Sequence, residues 1–200
     1  MLKTPMDTFS ASAKKPHDQT ESSCDTRSDT SSIFGTNEPC VKRVEPETFV
    51  VNAKYVHTNL IAKDWRRLAD FYENVFGCVR LLPERDLSGE WLERGSGIPN
   101  ARLRGVHLRL PGLGPHGPTL EIFQYDNCAD TPAATANRVG FGHIAFAVDD
   151  VNAAREAVLS AGGTALGTIE VVVIPDAGRI TWTYVRDPEG NIIELQRRDP

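Results

Sequence analysis

Gly142-His-Ile-Ala-Phe-Ala-Val-Asp-Asp150 carries two structural signals in succession. Its first seven residues alternate, and alternate residues of a strand point to opposite faces. Ile144, Phe146 and Val148 therefore form a bulky apolar face, and His143, Ala145 and Ala147 a polar or small one. Asp149 or Asp150 then caps a helix that carries Val151, Ala154, Ala157, Val158 and Ala161 and stops at Gly162-Gly163. The same pattern occurs earlier in the chain. Phe49 to Ile61, containing Tyr55-Val-His-Thr-Asn-Leu, alternates and reads as a strand. Asp64 can cap a helix through Trp65, Leu68, Phe71, Tyr72, Val75 and Phe76, closed by Gly77. Asp64 lies seven residues after His57, and Asp150 lies seven after His143.

The match continues beyond the helices. Strand-like runs follow the first helix at Val79–Leu82, Leu103–Leu110 and Thr119–Tyr125, and the second at Ile169–Ile174, Ile180–Arg186 and Asn191–Gln196. Pro111–Pro118 reads as a hairpin loop, and Asp187-Pro-Glu-Gly190 suits a type I turn. A short helix around Glu90–Arg94 fits within the Asp86–Asn100 segment. The last strand of each half has a glutamate at its centre, Glu121 and Glu194. The expected fold is α+β: two βαβββ modules, about 49–126 and 139–198, forming a curled mixed sheet around a cleft.

The rest of the chain sets bounds. Residues 1–47 are rich in Ser and Thr without apolar periodicity, and cannot bury enough surface to offset ordering entropy. They are expected to be a disordered tail, so His17 is no ligand candidate, and the domain is expected at 48–198. The net charge of −5, without a basic cluster, argues against nucleic acid and anionic membranes. No apolar run approaches a membrane span and no signal core precedes the domain. Cys24, Cys40, Cys78 and Cys128 have neither close pairing nor metal spacing. Reduced thiols in a cytoplasmic protein are expected.

Four polar residues interrupt apolar strands in the order His57, Glu121, His143, Glu194. Each alone is ordinary: a strand histidine is more often structural, and a strand glutamate can sit on an exposed edge. The repeat makes them two equivalent pairs. Carboxylates are rarely buried unless paired or bound, and two imidazoles with two carboxylates suit zinc, nickel, cobalt, manganese or ferrous iron. An octahedral shell would leave two neighbouring positions for oxygens of a small-molecule substrate. His107 and Arg109 alternate with Val106, Leu108 and Leu110, so they face the cleft or solvent. Trp91, Phe123, Tyr125 and Trp182 could wall a pocket or be plain core. His116 falls in the Gly-Pro loop, and Gly112-x-Gly114 has no following helix to make a phosphate loop.

These motifs, with Leu68-Ala-Asp-Phe-Tyr-Glu-Asn-Val-Phe-Gly77, Leu120-Glu-Ile-Phe and Asp187-Pro-Glu-Gly-Asn-Ile-Ile-Glu-Leu195, resemble the vicinal oxygen chelate superfamily, over about residues 52–197. That group includes glyoxalase I, methylmalonyl-CoA epimerase, extradiol dioxygenases and antibiotic-resistance proteins. The resemblance implies one divalent metal held by His57, Glu121, His143 and Glu194, the ligand order of bacterial-type glyoxalase I. It implies Glu194 as the main proton-transfer residue, with Glu121 chiefly a ligand. It further implies a lyase or isomerase abstracting a proton next to a carbonyl, glutathione as a co-substrate, and modules that pair within one chain or across a homodimer. Epimerases of the group commonly have Gln where this chain has Glu121. An extradiol-type dioxygenase and a non-catalytic ligand-binding protein are the other readings.

Overall fold

The computed structural model describes residues 50–129, 132–175 and 178–199; the expected disordered tail, with His17, Cys24 and Cys40, lies outside the described residues. The first module runs β1 (His57–Ile61), α1 (Trp65–Phe76), β2 (Val79–Ser88), α2 (Glu90–Ser96), β3 (Arg102–Arg109) and β4 (Thr119–Tyr125). The second runs β5 (Ile144–Ala147), α3 (Val151–Ser160), β6 (Thr164–Ala165), β7 (Glu170–Ile174), β8 (Gly178–Arg186) and β9 (Ile192–Asp199). The architecture is α+β, with two open mixed sheets.

Sheet order confirms the repeat read from the sequence. The first sheet is ordered β1-β4-β3-β2, and the second β5-β9-β8-β6, with β7 also pairing to β8. The first and last strands of each module are parallel neighbours, and the remaining pairs are antiparallel. The second strand of each module is broken. In β2 the register shifts between Leu81 and Arg85. In the second module, β6 meets Val185 and Arg186, whereas β7 meets Gly178 to Trp182.

The helices begin and end as their caps direct. The Asp64 carboxylate accepts from the Arg67 N–H, and Gly77 closes α1 at φ +68°. The Asp150 carboxylate accepts from the N–H groups of Asn152 and Ala153. One apolar core joins the helix-bearing faces of both sheets: Leu108, Leu120 and Ile122 from the first, Val185, Ile193 and Leu195 from the second, with Leu68 of α1 and Val158 of α3. The ring of Phe76 stacks on that of Phe146, centroids 4.0 Å apart. A polar link accompanies it. The buried Tyr72 hydroxyl donates to Asp187 Oδ2 at 3.1 Å. Glu189 Oε1 accepts from the N–H groups of Lys63 and Asp64, at 3.0 and 2.9 Å.

Some boundaries differ from expectation. β1 starts at His57, not near Phe49, because only from there does the backbone pair with β4. β2 extends through Asp86 to Ser88 because its far half pairs with Arg102–Gly105. The remainder of the Asp86–Asn100 segment holds α2, and Leu92 forms a second small core with Ala101 and Leu103, packed by Phe123 and Tyr125. That insert therefore closes one end of the first sheet's helix-free face.

Candidate metal centre

Register determines which side chains meet. On the helix-free face of the first sheet, His57, Thr119 and Arg109 form one row, and Asn59, Glu121 and His107 the next. Glu121 is only 8 % exposed. Its Oε2 lies 3.3 Å from His57 Nε2 and accepts from Asn59 Nδ2 at 3.2 Å. Its Oε1 lies 3.2 Å from His107 Nε2. Nε2 of His107 thus faces a carboxylate oxygen, which can only accept, and Nδ1 faces the Thr119 hydroxyl at 3.4 Å. Burial of the ring holds the His107 pKa below its ordinary value, against the opposing pull of the Glu121 charge.

The second sheet repeats the arrangement. Glu194 pairs across the ladder with Ala145 and with Tyr184. Its Oε2 lies 3.1 Å from His143 Nε2. The Tyr184 hydroxyl donates to Glu194, and burial, the Glu194 charge and that bond raise the phenol's pKa. Tyr184 packs against His143, centroids 5.1 Å apart, and against Trp182 at 5.0 Å.

Each pair has a spacing ordinary for a His–carboxylate ion pair and also compatible with two ligands of one cation. Two donors each about 2.1 Å from one metal, at angles near 90–110°, stand about 3.0–3.4 Å apart. The pairs at 3.3 and 3.1 Å fall within that range. In kind and spacing, each half presents one imidazole beside one carboxylate. The halves are not brought together within the chain. Among the described residues, no group of three or more His, Cys, Asp or Glu is arranged to hold a metal. Both sheets spend their helix-bearing faces on the shared core, so each glutamate face is left uncovered by it.

The surroundings are open. A cleft of about 530 Å³ along β1 is lined by Tyr55, His57, Asn59, Arg138, Phe141 and Ile192, among others. Trp182, Tyr184, Glu194 and Gln196 line a hollow of about 320 Å³ with Val172 and Ile174. Of the remaining candidates, Arg109 lies on the glutamate face. His116 is exposed in its loop. Trp91 is exposed on α2. Alternation alone does not mark Asn59 and Tyr184 as carboxylate partners, nor decide between cleft and solvent for His107. A signal existed: centring each hairpin on its turn puts His107 and Tyr184 opposite the glutamates to within a residue.

An α+β chain of two βαβββ repeats, each presenting one His–Glu pair, defines a class of small-molecule proteins to which known proteins can be compared. The family model described as Glyoxalase/Bleomycin resistance protein/Dioxygenase superfamily matches residues 54–195. The chain belongs to that superfamily. It is 30 % identical over 165 residues to a lactoylglutathione lyase of Pseudomonas aeruginosa, covering 76 % of this chain and 86 % of the relative. It is 27 % identical over 146 residues to a probable lactoylglutathione lyase of Vibrio parahaemolyticus, covering 72 % and 90 %. Among solved structures, a glyoxalase family protein from Bacillus cereus superposes with a TM-score of 0.58 at 18 % identity, covering 78 % of this chain and 99 % of that one. A glyoxalase I mutant from Zea mays gives 0.52 at 25 % identity, covering 74 % of this chain and 45 % of the maize chain. No helix of the described residues is long and apolar enough to cross a membrane.

Proposed function

We propose that the protein is a divalent-metal-dependent lyase of the glyoxalase I type, with His57, Glu121, His143 and Glu194 as its ligands. The observation that carries this reading is the pair of His–Glu sets at compatible spacing in equivalent places of a repeat, His57 opening β1 and His143 immediately before β5. Because the sets stand apart in one chain, the centre is completed by a homodimer in which the first sheet of one copy faces the second sheet of the other. Bound there, the cation supplies Lewis-acid stabilisation of charge developing on substrate oxygens.

The protein's own groups divide the remaining work. Glu121 is held on both oxygens and stays fixed. Glu194 is the base: it takes the proton from the carbon bearing sulfur and returns it to the adjacent carbon, while the hydroxyl proton of the first carbon passes to the oxygen of the second, turning a hemithioacetal into a 2-hydroxy thioester. Arg109, in the row of His57 and Thr119, receives an anionic group of the substrate. Glutathione is the proposed thiol co-substrate.

The test is metal analysis of purified protein, then wild type and Glu194→Gln with the methylglyoxal–glutathione adduct. Wild type forms the thioester, and Glu194→Gln loses it while staying folded. A metal-loaded wild type that forms no thioester refutes the substrate. Deuterium wash-in at the α-carbon of methylmalonyl-CoA would instead assign an epimerase.

A further inference from the structure

The residue facing each glutamate from the neighbouring strand is polar in both modules: His107 faces Glu121, and Tyr184 faces Glu194. Neither position belongs to the four-ligand set. His107 has both ring nitrogens engaged, Nε2 by Glu121 Oε1 at 3.2 Å and Nδ1 by the Thr119 hydroxyl at 3.4 Å. Its ring also meets Phe123 edge-on, centroids 5.7 Å apart, and His57 at 6.4 Å. Phe123 itself lies over Gly105, where an added Cβ would come within 2.4 Å of the Phe123 ring. The imidazole is thus fixed in plane and in direction. Tyr184 is similarly set between His143 and Trp182.

The two oxygens of Glu121 consequently have different roles. Oε1 is anchored by His107, and Oε2 is turned toward His57, where a cation would accept both donors. Outer groups that hold a ligating carboxylate fix its direction and tune its affinity. Resting on the metal-centre reading above, we propose that His107 and Tyr184 are positioning residues, each holding the opposite glutamate so that it presents an oxygen to the cation. Glu121 is given an imidazole with a hydrogen-bond partner on its far side, a stiff anchor. Glu194 is given a phenol, whose hydroxyl rotates and can follow the carboxylate.

The experiment titrates wild type, His107→Phe, His107→Asn, His107→Gln and Tyr184→Phe with Co²⁺ against a chromophoric chelator, alongside thermal melts. His107→Phe offers no donor, and the amide of His107→Asn is too short to reach Oε1. Both weaken Co²⁺ binding about 10–100-fold. His107→Gln places an amide N–H near the lost Nε2–H and restores affinity to within a few-fold. Tyr184→Phe weakens binding in the same range and changes the cobalt absorption spectrum. If either Phe variant melts like wild type and binds Co²⁺ equally well, the role of that residue is overturned. If His107→Phe does not fold, wild-type affinity in His107→Asn overturns it instead. If wild type binds no divalent ion, the metal reading fails and this assignment with it. Tight binding unaffected by these substitutions removes this assignment alone.

Discussion

A centre built across two chains predicts a specific complementation. Let one variant carry His57→Ala and Glu121→Gln, and another His143→Ala and Glu194→Gln. Each homodimer then lacks two of four ligands at both sites. Four-ligand zinc sites bind with about 10–16 kcal/mol, so losing half of the ligands costs about 5–8 kcal/mol and weakens binding more than about a thousandfold. Both homodimers emerge empty under conditions that load wild type. In a mixed dimer one site receives all four defects, whereas the other receives none. A 1:1 random mixture contains half mixed dimers, each with one intact site of two, and so holds about one quarter of the wild-type metal. The assay is co-expression with two affinity tags, tandem purification of the mixed dimer, and elemental analysis beside both homodimers. The purified mixed dimer should carry about half the wild-type metal and regain lyase turnover. A mixed dimer as empty as its parents would refute the shared site. Fully loaded parents would refute the ligand set itself.

Other predictions test single groups. Burial raises the Asp187 pKa above its ordinary value of 3.8, with the bonds from Asn191, Tyr72 and the Glu189 backbone opposing it. The folded state therefore holds more protons than the unfolded chain just above that value, and this group's contribution to stability falls as pH rises. Urea melts from about pH 4 to 7 should show wild type losing stability relative to Asp187→Asn; a pH-independent difference would contradict it. In Gly105→Ala the new Cβ would stand 2.0 Å from the Ile122 carbonyl oxygen, so a loss of about 3 kcal/mol is expected. An unchanged melting temperature would contradict the close approach of β3 and β4. Arg109→Ala should raise KM for an anionic substrate about tenfold or more with kcat little changed, and the reverse split would disqualify it as a binding group. Burial pushes the Cys78 thiol up to about 11, whereas Cys128 is exposed. Alkylation of folded protein, read by peptide mass spectrometry, should mark Cys128 well before Cys78.

Much of the fold is legible in the sequence, for identifiable reasons. The caps at Asp64 and Asp150 are local, so each helix could be placed from its own neighbourhood. Alternation assigned His57, Asn59, Glu121 and Glu194 to faces correctly, because the side-chain period of a strand is fixed. The partners of the glutamates were harder. Both depend on hairpin register: the loop Pro111–Pro118 leaves His107 uncertain by a residue, centring on the Asp187–Gly190 turn leaves Tyr184 so, and one residue reverses every face. The Tyr72–Asp187 link was invisible because those residues are far apart in sequence and meet only through the packing of one module on the other. The separation of the two His–Glu pairs was equally out of reach. A repeat says that two halves are alike, not which of their faces pack together.

That last point bears on the chemistry. Equivalent halves would make both glutamates equally able to move a proton, but their settings differ. Withdrawing Glu121, itself only 8 % exposed, would strip the half-buried His107 Nε2 and the exposed Asn59 Nδ2 of an acceptor, on a face bounded at one end by the α2 insert. A donor left unsatisfied when buried costs about 1–3 kcal/mol, a cost that falls here on His107 and not on the water-accessible Asn59. Glu194 has a more exposed side chain, 19 % against 10 % for Glu121, and a single rotatable hydroxyl beside it. It can turn toward a substrate proton without abandoning a rigid donor set. The unequal third strands, imidazole against phenol, thus give the two glutamates unlike settings, and the proposed division into fixed ligand and base rests on that difference.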